Sequence, residues 1–315
     1  MKKENFKNNP HVSVVIPVFN GAQFLEEAVT SVLKSTFTNF EILLIDDGSN
    51  DHSKKICEHL VLRHSKKIRF LSIKNNRGLG RVLNLALREA RGQYIARLNQ
   101  DDIMLPHRLQ VEVNYLSRHP EVVAVGSWNR LFDDKGTTHI LKFLPTDEEI
   151  KKVWMLVSPF SDPTTMYRKS VALRAGGYIQ KFWPADDTQL WYRMGKLGKL
   201  ANIQRPLVHV RWHKGAGSVK FFRRMAHVTY RMHRWAHTTV QNAPWYIQIF
   251  WIIQYIAGLV LSPQWNWSIY WKMKSIIAFY ETAWLRLKKI KRDVAKVIHV
   301  INQPIKAYLS GAYTK

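Results

Sequence analysis

At 315 residues, 46% hydrophobic and 23% charged, the chain can bury one large or two ordinary cores and is too apolar for a disordered protein. Its one cysteine, Cys57, excludes a disulfide within the chain and favours a reducing compartment. A net charge of +25 makes phosphate the expected partner chemistry, carried by nucleic acid, anionic lipid or a diphosphate-bearing substrate.

The charge is uneven. Residues 205–315 hold 18 Lys and Arg against 2 acids, Glu281 and Asp293, so the C-terminal third is the basic part. No base-reading or stacking module accompanies it, and nucleic acid is not an expected partner. The start, MKKENFKNNPHV, carries no apolar run before the first strand, so no cleavable leader is expected.

In chain order, Val12–Val18 is a continuous β-branched run, the pattern of a strand covered on both faces, with Pro17 expected to end its pairing. After Phe19-Asn20-Gly21 the apolar residues Phe24, Leu25, Ala28, Val29, Val32 and Leu33 recur at helical spacing. A second strand, Glu41–Ile45, runs into Asp46-Asp47-Gly48-Ser49, and a polar helix follows over about His52–His64. Ile68–Ile73 reads as a third strand, 75–80 as a glycine-containing loop, and Val82–Ala90 as a further helix. Tyr94, Ile95 and Ala96 make a fourth strand that stops at Asn99-Gln100-Asp101-Asp102, and Pro106 opens the next helix.

Four strand–helix alternations imply right-handed crossovers and a mostly parallel sheet. In such a sheet the loops at the strands' carboxyl ends converge on one crevice, so Asn20, Asp46, Asp47, Asn99, Asp101 and Asp102 should lie close together. Taken alone, the acidic turn fits two descriptions, a hard-oxygen site for Mg²⁺ or Mn²⁺ or a solvated turn with Asp102 near a helix cap.

Past Val122–Ser127 the alternation gives way to shorter strands, with a polar turn at 133–136. Helices are expected at Asp147–Leu156, at Ser170–Ala175 with Gly176-Gly177 as terminator, and at Ala185–Leu197 with Asp186 and Asp187 in its first turn. Val208–Trp212 reads as a short last strand before His213.

The stretches VSVVIPVFNGAQFLEEAVTSVL, FEILLIDDGSNDHS, NNRGLGRVLNLAL, GQYIARLNQDDIMLPHRL and ADDTQLWYRM, in this order over about residues 11–218, resemble the inverting family 2 glycosyltransferases of the GT-A fold. The resemblance implies a Rossmann-like, mostly parallel mixed sheet flanked by helices, with residues 1–218 as the nucleotide-sugar-binding catalytic domain. It also implies a UDP-, GDP- or dTDP-linked sugar donor and Mn²⁺ or Mg²⁺. On it, Pro17, Phe19 and Asn20 line the nucleotide pocket, Asp46 and Asp47 take base and ribose, and Asn76, Gly78, Arg81 and Asn84 close over them. Asn99-Gln100-Asp101 stands where the family writes Asp-x-Asp, which makes Asp101 the expected metal ligand, with Asp102 beside it. Asp187 matches the general base that takes the acceptor hydroxyl proton in an inverting transfer, although helix-dipole stabilisation alone would also explain an acid there. The Arg211–Ser218 segment matches one that passes over the diphosphate; His213 is a candidate third metal ligand, and Lys214 and Lys220 are candidate phosphate contacts.

Asn99 departs from the pattern. An amide oxygen accepts from ribose or ligates a cation but brings no charge, so a non-catalytic relative acting as a scaffold is the competing description.

Residues 219–315 lie outside the strong resemblance and read as a basic, aromatic-rich helical extension. Phe221, Met225, Val228, Met232 and Trp235 alternate with Arg223, Arg224, Arg231 and Arg234 as in an amphipathic helix. Trp245–Leu261 is a 17-residue run with no charge, followed by Trp265, Trp267, Tyr270 and Trp271, and residues 285–300 return to a basic pattern. A run this short with basic flanks on both sides suits a helix in the membrane interface or a re-entrant hairpin, with a span or a buried helix as alternatives. The expectation is therefore a cytoplasmic enzyme, peripheral or re-entrant on the inner face of the membrane. Its acceptor would be a lipid-linked oligosaccharide, lipopolysaccharide or capsule.

Overall fold

The computed structural model describes residues 9–213, 215, 220–261 and 265. The sheet is built from β1 (Val12–Val18), β2 (Phe40–Asp46), β3 (Ile68–Ser72), β4 (Tyr94–Arg97), β5 (Ile103–Met104), β6 (Val122–Phe132), β7 (Thr138–Leu141), β8 (Met166–Arg168) and β9 (Lys199–Arg211). The helices are α1 (Leu25–Leu33), α2 (Ser53–Arg63), α3 (Leu79–Glu89), α4 (Arg108–Arg118), α5 (Asp147–Val153), α6 (Lys169–Arg174), α7 (Asp186–Gly195), α8 (Phe222–Thr239) and α9 (Trp245–Val260).

Strand order is β3-β2-β1-β4-β8-β6-β9-β5, with β7 paired to β6. The β3-β2-β1-β4 half is parallel, as the alternation requires. Side chains alternate across it: Val12, Val14, Ile16 and Val18 meet one core with α1, α2 and α4, while Val15, Leu43 and Ile45 meet the other with α3 and α7. This double burial is why the strands read as unbroken apolar runs.

Pro17 does not end β1, which stays in register with β2 through Pro17↔Ile45 and Val18↔Asp46. Val15 bonds toward β4, its carbonyl accepting from the Leu98 amide, so residue 17 faces the same side. There the β1–β4 ladder has already ended at Val15↔Arg97, and the absent proline N–H has no strand to serve.

The second half differs more from the sequence pattern. β6 and β9 are long, 11 and 13 residues, and pair in parallel with register shifts around Ser127 and Trp128. The bulges and the polar stretch Gln204, Arg205 break the period-two signal that would have shown β9 from Lys199. β8 inserts antiparallel between β4 and β6. Two-residue β5 pairs antiparallel with β9, joining Ile103 to His209 and Met104 to Val208.

Helices α8 and α9 pack into the core that holds α3 and α7: Val228, Met232, Ala236 and Trp251 are buried there with Leu190 and Trp191. The Trp251 indole donates to the Met155 carbonyl at 2.8 Å, and its ring lies 4.9 Å from that of His233, whose burial pushes its pKa down to about 3. The described residues of α8 and α9 thus belong to the same compact unit as the sheet. The outward face of α9 is apolar, with Tyr246, Ile249, Ile253, Ile256 and Val260 exposed at spacings of three and four. At about 1.5 Å per residue α9 measures about 24 Å, and among the described residues no helix is long and apolar enough to cross a membrane. Lys214, Trp267, Tyr270, Trp271 and the basic stretch 285–300 lie outside the described residues.

Candidate active site

The crevice is made by the carboxyl ends of three adjacent strands, β2, β1 and β4, as the topology dictates. At the end of β2, Asp46 and Asp47 are both buried. Asp46 accepts from the Ser49 amide and closes the turn through Gly48, whose φ of 75° suits glycine. Asp47 accepts from the amides of Arg77 and Gly78 at 2.8 and 2.9 Å. Burial raises the Asp47 pKa, and the two amides oppose that rise. This bridge lays the 75–80 loop across the end of β2, with Asn76 exposed on it and Arg81 exposed in the first turn of α3.

At the end of β1, Phe19 is exposed and half-buried Pro17 precedes it. Asn20 adopts φ 50°; its amide donates to Ser49 Oγ at 3.0 Å and its side-chain oxygen accepts from the Asn50 amide at 2.8 Å. Asn20 thus knits the β1 and β2 loops together.

Gln100 is a site residue that sequence reading passed over. Its side-chain amide accepts from Phe19 N at 2.9 Å and donates to Phe19 O at 3.0 Å, as a strand neighbour would, joining the β1 loop to the β4 loop. A Cβ on Gly21 would come within 2.2 Å of this side chain, which accounts for the glycine. The signal was its position inside the Asp-x-Asp-like triplet.

The β4 loop separates its two carboxylates. Asp102 is buried and fully used: Oδ2 accepts from Asn99 Nδ2 at 2.9 Å and Oδ1 from the Arg211 amide at 3.0 Å. Burial, then the neighbouring charge of Asp101, holds its pKa well above the usual carboxylate range. Asp101 instead meets His213, Oδ2 to Nε2 at 2.9 Å. His213 reaches it because β5, immediately after the loop, pairs with β9 just before the histidine. Arg211 secures the join, donating from Nε to the Asp101 carbonyl and from Nη2 to Glu27, with its guanidinium between the rings of Phe24 and Phe132.

A divalent cation fits this arrangement in part. Asp101 and His213 present one carboxylate and one imidazole to the crevice, whereas the Asp102 oxygens already have partners. Among the described residues no group of three or more His, Cys, Asp and Glu side chains converges as a ready cage. Mg²⁺ and similar hard ions are held by one or two protein ligands with water and substrate phosphates completing the shell, and a two-ligand site matches that mode.

Beside the 75–80 loop, α7 begins with Asp186 and Asp187, and a Cβ on Gly80 would lie 2.8 Å from Asp186 Oδ2. Asp187 Oδ1 accepts from the Thr188 amide at 2.6 Å, and burial, then the charges of Asp162 and Asp186, push its pKa up to about 8. Burial likewise pushes Asp186 up to about 7, and its Oδ2 is buried with no hydrogen-bond partner. A carboxyl this basic is matched to removing a proton near neutral pH.

Gln180 links the two sides. Its Oε1 accepts from the Arg81 amide at 3.1 Å, and its side chain fills the space over Gly78 and Gly80 that a Cβ would need. Asn84, expected at the nucleotide, has its amide engaged by both main-chain groups of Tyr178, at 2.7 and 2.8 Å, and ties α3 to the segment before α7. Lys220 is exposed.

This architecture is an α/β transferase scaffold of GT-A type. Two solved structures share the fold: mannosyltransferase PcManGT from Pyrobaculum calidifontis in complex with GDP-Man and Mn²⁺ (TM-score 0.57, 18% identity, 89% of this chain and 77% of that one) and S. aureus TarS 1-349 in complex with UDP-GlcNAc (TM-score 0.56, 16% identity, 78% and 81%). The chain belongs to glycosyl transferase family 2, whose family model matches residues 13–175. Among sequence relatives it is 32% identical over 209 residues to a Bacillus subtilis (strain 168) protein named as glycosyltransferase EpsE, covering 65% of this chain and 74% of that one. It is 29% identical over 204 residues to the amylovoran biosynthesis glycosyltransferase AmsE of Erwinia amylovora, covering 63% and 75%.

Proposed function

We propose that the protein transfers a sugar, with inversion, from a nucleotide-diphosphate donor to a lipid-linked oligosaccharide, lipopolysaccharide or capsule acceptor in surface-polysaccharide synthesis. The observation that supports this reading is the set of acids at the strand ends and at the start of α7: amide-anchored Asp47 and the Asp101–His213 pair in the loops, and Asp186 and Asp187, with raised pKa values, in the first turn of the helix that lies beside Gly80. The polysaccharide role is supported by the names of AmsE and EpsE, and the donor class by the UDP-GlcNAc and GDP-Man in the complexes of TarS and PcManGT.

In this reading Pro17, Phe19, Asn20, Asp46, Asp47, Asn76, Gly78 and Arg81 receive the nucleotide, and Asn99 reaches ribose from its bonds to Arg97 and Asp102. Asn84 serves at one remove, through Tyr178. Asp187 removes the acceptor hydroxyl proton as that oxygen attacks the anomeric carbon from the side opposite the diphosphate. Asp101 and His213 would hold Mn²⁺ or Mg²⁺, which supplies positive charge to a leaving diphosphate. Asp102 contributes by fixing the loop to β9.

The exposed apolar stripe of α9 and the exposed Arg223, Arg224, Arg231 and Arg234 of α8 support an in-plane seat on the anionic inner face of the membrane, where a lipid-linked acceptor resides.

The direct test is a thermal-shift screen of UDP-, GDP- and dTDP-sugars with and without Mn²⁺. One donor class should raise the melting temperature, more so with metal, by mass action. No stabilisation by any nucleotide sugar would refute the donor site. For the membrane seat, the full chain should co-sediment with vesicles containing phosphatidylglycerol and lose this on Ile253→Ser with Ile256→Ser; binding unchanged by the double substitution would refute it.

A further inference from the structure

β1 outlasts its pairing with β4. The β1–β4 ladder ends at Val15↔Arg97 and the β1–β2 ladder at Val18↔Asp46, so Phe19 is the first residue of β1 to lie past both. Its main chain would otherwise be left to water. Gln100 takes the place of the missing strand: Oε1 accepts from Phe19 N at 2.9 Å and Nε2 donates to Phe19 O at 3.0 Å. A carboxamide can do this because it carries a peptide's donor and acceptor together.

The surrounding loop is built to admit this side chain. Gly21 is buried, its amide donates to Ser53 Oγ at 2.9 Å, and a Cβ there would fall 2.2 Å from the Gln100 carboxamide. Asn20, between them, is held from the other side by Ser49 and Asn50. Phe19 is thus tied to the β4 loop and Asn20 to the β2 loop, yet the phenylalanine remains 41% exposed. A ring left open on a pinned main chain offers a flat face, and every nucleobase has a π-face to set against it. The neighbours of Gln100 are fixed as well: Asn99 Oδ1 accepts from buried Arg97 at 3.2 Å, and Asp101 Oδ2 meets His213 Nε2 at 2.9 Å.

We propose that Gln100 is a positioning residue that acts through Phe19. It fixes the phenylalanine relative to the Asp101–His213 pair, so that the base and the diphosphate of one nucleotide meet their contacts together, which rests on the donor site proposed above. Side chain and metal-side acid are adjacent in the chain, so the spacing between the two contacts is set by one short, anchored segment. A loop already ordered before the ligand arrives spares binding the cost of ordering it. The effect therefore falls on nucleotide affinity and leaves the proton transfer at Asp187 alone. Glutamine length matters: asparagine is one methylene shorter, and glutamate keeps the acceptor for Phe19 N but sets a carboxylate oxygen against Phe19 O.

The test is titration calorimetry of UDP, GDP and dTDP, each with Mn²⁺, on the full chain, Gln100→Ala, Phe19→Ala and the double variant, with melting temperatures measured alongside. The nucleotide that the wild type binds should bind Gln100→Ala about tenfold more weakly. In the Phe19→Ala background the same substitution should cost less than about twofold, because its route of action is gone. Equal costs in the two backgrounds, or no cost in a folded Gln100→Ala, would overturn the proposal. In turnover, Gln100→Ala should raise the donor KM by a similar factor with kcat within about threefold of wild type; a fall confined to kcat would place Gln100 in the chemistry and overturn it too. Gln100→Glu supplies a rescue. Relative to wild type at the same pH, it should bind as weakly as the alanine variant at about pH 8 and recover toward about pH 5, where a carboxyl facing a carbonyl regains its proton and with it the donor; no recovery would count against the clamp. Failure of the donor site itself looks different: no nucleotide would bind the wild type, or Phe19→Ala would bind as the wild type does.

Discussion

The donor side and the base side of the proposed site hold their carboxylates differently. On the donor side each acid is tied by hydrogen bonds to neighbouring loops: two backbone amides on Asp47, the Asn99 amide and an Arg211 N–H on Asp102, an imidazole on Asp101, although burial still raises the pKa values of Asp47 and Asp102. On the base side Asp186 and Asp187 begin a helix among other carboxylates, and burial with like charge drives their pKa values to about 7 and 8. In the proposed function this difference separates acids fixed by hydrogen bonds around the donor from an acid that takes up a proton. A base works only if protonation and deprotonation are both accessible.

The contrast can be broken from either side. Asp187→Asn removes the base alone and should lower the transfer rate by about 10²–10⁴-fold, with the donor-induced rise in melting temperature unchanged; a loss of donor binding in equal measure would erase the division. Trp251→Ala tests whether the core behind the base side depends on α9. Emptying that buried indole should cost about 3–5 kcal/mol in chemical denaturation, and a cost under about 1 kcal/mol would mean that α9 is only loosely attached. Asp101→Ala should abolish the extra thermal stabilisation that Mn²⁺ gives in the presence of donor, with His213→Ala giving a smaller loss; persistence of the metal effect in both would place the cation elsewhere. Asp47→Ala, which frees the amides of Arg77 and Gly78 and loosens the 75–80 loop, should raise the donor KM about tenfold, equivalent to about 1.4 kcal/mol.

The smallest effect is on stability against pH. Asp187 has a folded pKa of about 8, above its value in the unfolded chain, so folding retains a proton there between roughly pH 4 and 8 and stability declines as pH rises through that window. Asp187→Asn should match the wild type at pH 5 and melt higher at pH 9. A wild type with no decline over this range would contradict the raised pKa. His233 runs the other way: its folded pKa of about 3 lies below the unfolded value, so its contribution is present above about pH 6.5 and is lost as pH falls toward 3.

Much of the parallel half was legible because its cause is local. Strands covered on both faces must be apolar along their whole length, helices between them must carry a stripe, and polar loops at the strand ends then converge by topology. That reasoning puts Asn20, Asp46, Asp47, Asn99, Asp101 and Asp102 at one end of the sheet. It stopped at β5, whose two residues carry no periodicity, and at β9, whose bulges blur it. Patterning alone could not separate Asp101 from Asp102, two adjacent acids with the same chemistry; only the family resemblance singled out Asp101, and it is Arg211, over a hundred positions away, whose amide engages Asp102.

What the sequence by itself determined is the family, the α/β alternation and the short catalogue of acids at strand and helix ends, since these follow from nearest-neighbour patterning. What only the tertiary structure decided is the state of each acid. Asp102 is consumed by Asn99 and β9, Asp101 is met by His213, Gln100 binds the loop at Phe19, and Arg97 pairs with Asp162. Proton affinity and ligand access depend on burial and on charges brought together across the fold, and no spacing along the chain encodes those distances.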